Sequence, residues 1–491
     1  MGAGPCYRFG MRGIWIAVIG VFCLISAVAC TSAPLVTFPE GPADAVTSEP
    51  ADVIGPLHMR GRELVDATGR VVLIHGTNVV NKSEPFLAPL ENGWLGPQDF
   101  AEFQADGFNG IRLGVWAAKL MPAPGVIDTD YLAEVAQVID TLTAQNLWVL
   151  LDFHQDVFWG MPSWATTAEA AALSPTAPKE IEAAIGWAAN YLSPRSLQQW
   201  NDWWAQVPVS EGRSAIDLYG DGVAALANEV KDETNVMGID LINEPFPGDK
   251  FFECVTSCGG RYRQAEAMYT SLTARVNQAA PGLAVWWAPF NIGEPFPDTP
   301  APGANVGYTF HAYCYDTDGG EPVQPDPAPS ALCDAVFGSV FSDAHSVSTR
   351  WNAPTLLGEF GASQSPLNAT RTTQLADEYL MSWMHWHHPG TWPEVVRTQL
   401  VRAYAQATAG HPVSQHFDPA TGDFYFRYQP DESVLAPTSI VLPAVQYPDG
   451  YSATVIGGTV TSQANSGRLT VESDQGAAEV RVHVQRTAPE A

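Results

Sequence analysis

Short apolar runs alternate with helical patterns along most of the chain. Residues 236–242 are almost continuously apolar, as expected of a strand buried on both faces of a parallel sheet. Residues 130–145 and 215–231 instead show the apolar spacing of helices. The alternation predicts eight strands, at residues 71–79, 107–115, 147–153, 236–243, 284–288, 306–313, 355–359 and 380–386. Eight strands with crossovers between them favour an α/β fold of the (β/α)8 TIM-barrel type over an open sheet.

The pattern changes near the C-terminus. After Gly410 the helical spacing stops, and turn signals such as Thr421-Gly422-Asp423 and Pro448-Asp449-Gly450 separate short alternating segments. Such spacing is typical of a β-sandwich. We therefore predict a catalytic barrel at residues 57–412, opened by a small hairpin, and a C-terminal β-sandwich at 413–491.

The N-terminus has the features of a secretion signal. Arg8 and Arg12 precede an apolar core at residues 14–28, which ends in Ala27-Val28-Ala29. We predict a signal peptide at 1–29 and a linker rich in Pro, Ala, Ser and Thr at 30–56. Cys30 follows the cleavage site as in a bacterial lipobox, although Ala27 stands where such motifs usually carry Leu. The sequence leaves free secretion and a lipid anchor through Cys30 both open.

Charge excludes one class of partner. The chain carries 53 acidic and 24 basic side chains, a formal net charge of -29. No basic cluster is evident that could neutralise phosphates, so we expect no nucleic-acid partner. The same charge disfavours electrostatic attachment to anionic membranes.

Four cysteines lie within the predicted barrel: Cys254, Cys258, Cys314 and Cys333. In an exported chain this even number predicts disulfides, with three possible connectivities. We favour the local pairs Cys254–Cys258 and Cys314–Cys333, each closing a loop. A zinc site with four thiolates is the rival arrangement.

Two apolar runs stop abruptly at a glutamate. Leu241-Ile242-Asn243-Glu244-Pro245 ends the fourth predicted strand, and Leu357-Gly358-Glu359 ends the seventh. A lone glutamate at a strand end is usually a solvated loop residue. Two glutamates at the C-terminal mouth of one barrel, where barrel enzymes place their catalytic residues, indicate that the pair has a function. Such a pair can hydrolyse glycosides by double displacement, one carboxylate attacking and the other exchanging a proton.

Further polar and aromatic residues follow the other strands: Arg112, His154, Asp156, His311, Tyr313 and Trp386. Arg112 is a candidate partner for the ionised glutamate, by charge attraction. The insertion at 157–214 adds six tryptophans, Trp159, Trp164, Trp187, Trp200, Trp203 and Trp204. These could pack the insertion against the barrel or form the wall of a substrate groove.

Asn243-Glu244-Pro245 together with Glu359 resembles the clan A glycoside hydrolases, family five in particular. Additional motifs resemble actinobacterial endoglycoceramidases over the chain from about residue 57: Asn78-Val79-Val80-Asn81-Lys82-Ser83, His154-Gln155-Asp156-Val157, Ala436-Pro437-Thr438 and Tyr447-Pro448-Asp449-Gly450-Tyr451. The fold of that family is a barrel followed by a β-sandwich, as predicted above.

The resemblance implies a role for each matched residue. Glu244 would be the acid/base, Glu359 the nucleophile, and Asn243 a hydrogen-bond partner of the sugar 2-hydroxyl. Of the remaining residues, Arg112 and His154 would order the carboxylates, His311 and Tyr313 would line the glycone site, Lys82 and Asp156 would contact sugar hydroxyls, and Trp386 would be the sugar platform. The implied reaction is hydrolysis between oligosaccharide and ceramide with retained configuration, without metal or cofactor, on a glycosphingolipid met transiently at a membrane surface.

A ceramide needs apolar protein surface in place of the bilayer. We therefore expect an apolar groove beyond Glu244, with five candidates in the loops after strands four and five: Phe246, Phe251, Phe252, Phe290 and Phe296. The alternative is that these side chains only anchor their loops.

One departure from the family pattern leaves the preferred glycan open. Family members often carry Arg-Pro-Tyr-Pro-Gln where this chain has Arg402-Ala403-Tyr404-Ala405-Gln406. An endogalactosylceramidase-like subgroup is therefore an alternative. Other rivals are an endo-β-glucanase, a β-glucosidase acting on other lipid glucosides, and, outside enzymes, a non-catalytic glycan-binding protein. The oligomeric state is undetermined.

Overall fold

The computed structural model describes residues 55–254, 258–291, 296, 303–314, 331–362, 366–388 and 394–487. The predicted signal peptide, Cys30 and all but the last two residues of the predicted linker lie outside these ranges. Within the described residues, no helix combines the length and the hydropathy needed to cross a membrane.

Eight parallel strands close into a barrel, which confirms the predicted fold class. They are His75–Val79, Gly110–Val115, Trp148–Phe153, Val236–Asp240, Val285–Trp287, Val306–Ala312, Thr355–Phe360 and Ser382–His388. The eighth strand pairs with the first, through Trp383 opposite His75, and this pairing closes the barrel.

The predicted first strand is two strands in the structure. Val71–Val72 pairs with Tyr404–Thr408 in a separate sheet, and the barrel strand begins only at His75. Between them Leu73 donates its amide to the Gln406 carbonyl, whereas Ile74 donates to the Ser382 hydroxyl. The chain therefore changes hydrogen-bonding partners here, a change that a continuous apolar run does not reveal.

Helices cover the barrel. The main ones are Pro97–Asp106, Thr129–Ala144, Ala215–Glu229, Gly259–Ala279, Ala331–Trp351, Pro366–Tyr379 and Glu394–Leu400. The helix predicted at 130–145 begins after Asp128, whose carboxylate accepts the amides of Asp130 and Tyr131. Its residues Val135, Ile139 and Leu142 are buried, so this helix packs the predicted apolar face against the barrel.

The second structural unit is a β-sandwich with two sheets. One sheet contains Gly410–Phe417, Phe424–Pro430, Val480–Arg486 and Tyr451–Ile456; the other contains Tyr404–Thr408, Thr438–Val441, Arg468–Ser473, Gly458–Val460 and three short strands from the N-terminal hairpin region, His58–Arg60, Glu63–Val65 and Val71–Val72. The sandwich therefore contains residues that precede the barrel in the sequence as well as residues that follow it. Its strand Tyr404–Thr408 lies before the boundary predicted at 412/413.

The segment that departs from the family pattern lies at the junction of barrel and sandwich. Tyr404 stacks on His75 with ring centroids 3.6 Å apart and donates its hydroxyl to the Gly107 carbonyl. Arg402 pairs with buried Asp377. His75 begins the first barrel strand and Gly107 precedes the second, at the end of the barrel opposite the mouth that carries the glutamates. The segment therefore lies at the end of the barrel away from the glutamates, and the subgroup and preferred glycan that it leaves open remain a prediction.

Both expected disulfides are present, Cys254–Cys258 and Cys314–Cys333. The first disulfide lies in the segment after barrel strand four, and the second lies in the segment after strand six. All four sulfur atoms are used in these bonds, so the four-thiolate zinc arrangement is excluded in this structure.

Inward-facing side chains change character along the barrel axis. On the third strand Trp148 and Leu150 belong to an apolar cluster, whereas Asp152 and then His154 follow at the same period-two positions. Asp152 stands opposite Asp240 in the register of strands three and four. The bottom of the barrel is therefore an apolar core, and the top presents charged groups to the mouth.

Candidate active site

Glu359 ends the seventh strand and is held through both carboxylate oxygens. Arg112 Nη1 lies 2.7 Å from Oε1, and the Tyr313 hydroxyl donates to Oε2 at 2.9 Å. The side chain is 5% exposed. Gly358 before it permits close packing, since a Cβ there would lie 2.6 Å from the Thr309 hydroxyl oxygen. This carboxylate is fixed in orientation and faces the mouth.

Glu244 follows the fourth strand in an unusual backbone conformation, with a φ of 41°. Such a conformation is strained for a residue other than glycine and persists only where neighbouring groups enforce it. The Gln155 amide does so by donating to the carbonyl oxygens of Asn243, at 2.6 Å, and of Glu244, at 3.0 Å. Gln155 therefore stabilises the turn at Asn243 and Glu244.

The Glu244 carboxylate has two side-chain partners. His311 Nδ1 lies 2.8 Å from Oε1, and the Tyr191 hydroxyl donates to Oε2 at 3.2 Å. Burial by itself would raise the pKa of Glu244, but the hydrogen bond and positive charge of His311 outweigh burial and hold that pKa below its ordinary value. Burial would lower the pKa of His311, but the charges of Glu359 and Glu244 raise it. The opposite directions of these two pKa shifts favour a proton on His311 and a negative charge on Glu244 in the free protein.

The two glutamates are close together. One oxygen of Glu244, one oxygen of Glu359 and one ring nitrogen of His311 all lie within 4.8 Å of one another. His311 Nδ1 lies 3.4 Å from Glu359 Oε2 as well as near Glu244. The imidazole therefore stands between the two carboxylates, which are close enough to act on the two atoms of one bond.

Arg112 is the central cation of the site and is completely buried. Besides Glu359 it contacts Asp152 Oδ1 at 2.9 Å and Asp240 Oδ2 at 2.8 Å, both through Nη2. Its remaining acceptors are the side-chain oxygens of Asn78, at 2.9 Å, and Asn243, at 2.8 Å. Burial by itself would lower the pKa of Arg112, but the three carboxylates raise it, so the guanidinium stays charged.

Asp152, His154 and Glu359 lie as close together as the ligands of a metal ion. However, Arg112 Nη1 and Nη2 already occupy the space between Glu359 and Asp152, so these residues bind the guanidinium and leave no room for a metal ion between them. A guanidinium supplies the positive charge here.

A second series of charged side chains lies at the mouth. His154 Nδ1 is 2.7 Å from Asp152, its Nε2 is 3.5 Å from Asp156, and Asp156 in turn accepts from Lys82 at 2.6 Å. Lys82 lies over the Trp386 ring, 4.6 Å from its centroid. Trp386 also stacks on His154, with ring centroids 5.4 Å apart at 15°. These residues, which the sequence predicted as separate positions, form one wall of the mouth.

Aromatic residues lie next to Glu244. The Tyr191 ring meets Trp187 edge-on, with centroids 5.8 Å apart, and Phe246 at 5.1 Å. Phe246 stacks on Phe251, which contacts Phe252. We call Tyr191, Trp187, Phe246, Phe251 and Phe252 the aromatic array.

The structure corrects the phenylalanine prediction. Phe246, Phe251, Phe290 and Phe296 are buried and anchor their loops, whereas Phe252 is 75% exposed. The tryptophans of the insertion divide in the same way: Trp200, Trp203 and Trp204 are buried, and Trp187 is 58% exposed. Trp159, also half-exposed, packs edge-on against Trp116. Two large rings, Trp187 and Phe252, are exposed at the ends of the aromatic array, fewer than the sequence predicted.

Family comparisons agree with this geometry. The model of the cellulase family (glycosyl hydrolase family 5) matches residues 65–390, and that of the glycoside hydrolase family 5 C-terminal domain matches residues 402–484. A relative described as endoglycoceramidase I, from Rhodococcus hoagii (strain 103S), is 36% identical over 89% of each chain.

The chain belongs to glycoside hydrolase family 5, in its endoglycoceramidase group.

Solved structures share this family 5 fold. Endo-glycoceramidase II from Rhodococcus sp., in a cellobiose-like isofagomine complex, matches with a TM-score of 0.71 and 24% identity, covering 87% of this chain and 100% of that one. An endogalactoceramidase structure matches with a TM-score of 0.64 and 18% identity, covering 88% and 100%. The resemblance stated from Asn243-Glu244-Pro245 and Glu359 is thereby confirmed at the level of the family.

Several residues of this family 5 site were not predicted individually. Asp152 and Asp240 are buried carboxylates under the mouth, and Tyr191 reaches Glu244 from the insertion. A charged residue inside an otherwise apolar strand, as in Leu150-Leu151-Asp152-Phe153, was an available signal for the two aspartates. No local pattern marked Tyr191, because its contact with Glu244 depends on how the insertion folds back.

The two glutamates should respond differently to substitution. If Glu359 is the nucleophile that the family resemblance implies, replacing it with Gln should raise the barrier by at least about 3 kcal/mol, more than a hundredfold in rate. Replacing Glu244 with Ala should spare the first step for an activated aryl leaving group but slow the release of the glycosyl-enzyme. Steady-state and burst kinetics with both leaving-group classes measure this. Wild-type turnover in Glu359→Gln would contradict the assignment.

His154 should make folding stability depend on pH. Burial by itself would lower its pKa, but the charges of Asp152 and Asp156 raise it to about 9. A raised pKa means that the imidazolium stabilises the fold fully below about pH 6.5, and that this contribution is lost as the pH rises through about 9. We expect a loss on the order of 3 kcal/mol in the free energy of unfolding over this window.

Denaturant unfolding at a series of pH values measures the effect, with His154→Gln as the comparison. The variant should lose most of the alkaline decline. An identical decline in both proteins would show that other groups cause it.

Proposed function

We propose that the chain is a retaining endoglycosidase that hydrolyses the β-glycosidic bond between the oligosaccharide and the ceramide of glycosphingolipids. The observation that carries the reaction class is the approach of Glu244 and Glu359 to within 4.8 Å, oxygen to oxygen. Retaining enzymes hold their carboxyl groups about 5–5.5 Å apart, whereas inverting enzymes separate them by about 6.5–9.5 Å to admit a water molecule. The family membership and the aromatic array support the substrate class.

In the first step a Glu359 oxygen attacks the anomeric carbon as the bond to the ceramide oxygen breaks. Glu244 gives a proton to that oxygen, and ceramide leaves as the alcohol. The proton originates on the Glu244–His311 pair. Substrate displaces water from the mouth, and a less polar environment favours the neutral pair, in which the proton is on Glu244. Arg112 and Tyr313 hold Glu359 in line during the attack.

In the second step water attacks the same carbon from the side that ceramide has left. Glu244 accepts a proton from this water, and Glu359 departs as a carboxylate, which Arg112 and Tyr313 again stabilise. Two inversions give net retention. The sugar is held meanwhile by the charged wall of Lys82 and Asp156 and by the face of Trp386, which offer hydroxyl partners and a stacking surface.

The aromatic array gives the leaving-group side a different character. It begins at Tyr191, which touches the proton donor Glu244, and ends in the exposed rings of Trp187 and Phe252. Exposed aromatic rings connected to the proton donor through packed aromatic side chains suit an apolar aglycone and the edge of a bilayer. A glucanase, which has sugar on both sides of the cleavage point, needs no such surface.

Product analysis tests the proposal directly. The protein is offered glycosphingolipids in mixed micelles, a soluble β-glucan, and a soluble aryl glycoside with the same glycone as one of the lipids. We expect free oligosaccharide and intact ceramide, with β-anomer formed first. Release of monosaccharide or cleavage of glucan alone would favour the rival glucosidase or glucanase, and binding without turnover would favour a glycan-binding protein.

Surface variants in the same assay test the lipid side. Trp187→Ser and Phe252→Ser should each lower glycolipid hydrolysis by about tenfold, since burying one such side chain is worth about 1.5–3 kcal/mol. Hydrolysis of the aryl glycoside should stay near wild type. Leu435→Ser is the matched control, because Leu435 is 91% exposed but lies on the sandwich. Equal losses on both substrates would contradict an apolar aglycone surface.

We also propose that the chain is exported and meets its substrate transiently at a membrane surface. The basic and apolar residues of the N-terminus and the cysteine pairs support export. Intact mass of the protein expressed with its own N-terminus separates the two forms: cleavage after Ala29 gives a soluble chain, and a diacylglycerol adduct on Cys30 gives an anchored one. An unprocessed Met1 would contradict export.

A further inference from the structure

Asp240 is a buried carboxylate that serves neither of the reacting atoms directly. Its Oδ2 accepts from Arg112 Nη2 at 2.8 Å and Nε at 3.3 Å, and the side chain is completely buried. Its other oxygen, Oδ1, is buried without a hydrogen-bond partner among the described residues. A carboxylate in this position costs free energy to keep ionised, and its benefit must come through Arg112.

The charge around Arg112 changes during the reaction. In the free enzyme three carboxylates surround the guanidinium: Asp152, Asp240 and Glu359. When Glu359 becomes an ester it loses its negative charge, and two carboxylates remain. The more strongly these two hold Arg112, the less Arg112 withdraws electron density from Glu359 in the free enzyme.

We propose that Asp240 is a positioning residue whose ionisation sets the nucleophilicity of Glu359 by competing for Arg112. Ionised Asp240 shares the guanidinium and leaves Glu359 reactive; protonated Asp240 releases the guanidinium to Glu359 and slows the attack. The proposal rests on the proposed function, in which Glu359 forms the glycosyl-enzyme.

The surroundings of Asp240 allow this change at moderately acidic pH. Burial raises the pKa of Asp240, Arg112 lowers it, and the nearby charge of Asp152 raises it again, with the result at about 6. His311 is the other charged group that acts on it. The neighbouring hydroxyls of Tyr219 and Tyr269 stay neutral, because burial raises their pKa values well above the ordinary range.

The decisive measurement is the rate at which Glu359 is covalently trapped by a fluorinated lactoside with a dinitrophenolate leaving group. This leaving group needs no proton, so Glu244 drops out of the pH dependence. We expect the wild-type trapping rate to fall about threefold to tenfold between about pH 7 and 5. Asp240→Asn should trap slowly at both values with little pH dependence, whereas Asp240→Glu, which keeps the charge, should retain the decline.

Controls separate this role from a structural one. Asp377→Asn removes a different buried aspartate, paired with Arg402 far from the mouth, and should keep the wild-type pH profile. In Asp240→Asn the first step should fall more than the second, since Glu359 leaves the ester more easily beside a less shared Arg112. General damage would lower both steps alike.

The proposal is overturned if the wild-type rate is flat over this range, or if Asp240→Asn keeps the wild-type decline. A flat wild-type profile overturns the proposal even if the Asn variant does not fold, and the Asp240→Glu and Asp377→Asn profiles then assign any decline. Peptide mapping of the trapped protein shows which proposal fails. If Glu359 carries the label but the pH profile is flat, only the role of Asp240 is wrong. If Glu359 carries no label, the proposed function is wrong as well.

Discussion

A completely buried guanidinium organises this molecule. Taking the charge of Arg112 out of water costs several kcal/mol, and that cost is recovered only where carboxylates and amide oxygens surround the group with good geometry. The required acceptors come from the first, third, fourth and seventh barrel strands and from the turn that follows strand four. A slip of one residue in any of these strands would turn its acceptor away. The acceptors of Arg112 therefore come together only when these barrel strands pair in the correct register.

The mouth above this guanidinium has two unlike sides. On one side the run Asp152, His154, Asp156 and Lys82 alternates negative and positive charge and ends at the face of Trp386. Next to Glu244 the aromatic array leads instead to the exposed rings of Trp187 and Phe252. Polar hydroxyls suit the first side and hydrocarbon suits the second. The bond cleaved between them then joins a polar half to an apolar half.

Sequence patterns predicted the parts of this arrangement that local physics controls. All eight barrel strands and the cysteine pairs were found in the structure, because buried parallel strands are mostly apolar and nearby cysteines have few partners. The phenylalanines after strands four and five show the limit. Their sequence positions resemble that of Phe252, yet burial separates them, since side-chain exposure depends on which loop packs over which.

From residue order alone one obtains the strands, the barrel and the two glutamates at its mouth, because hydrophobic periodicity and strand polarity act over a few residues at a time. The partners of those glutamates come from distant parts of the chain: Arg112 lies 247 positions from Glu359, and Tyr191 lies 53 from Glu244. Whether His311 approaches one carboxylate or both, and where its proton rests, depends on distances of a few ångströms and on burial. Electrostatic interactions of that kind exist only once the strands have closed around Arg112 and excluded water from it.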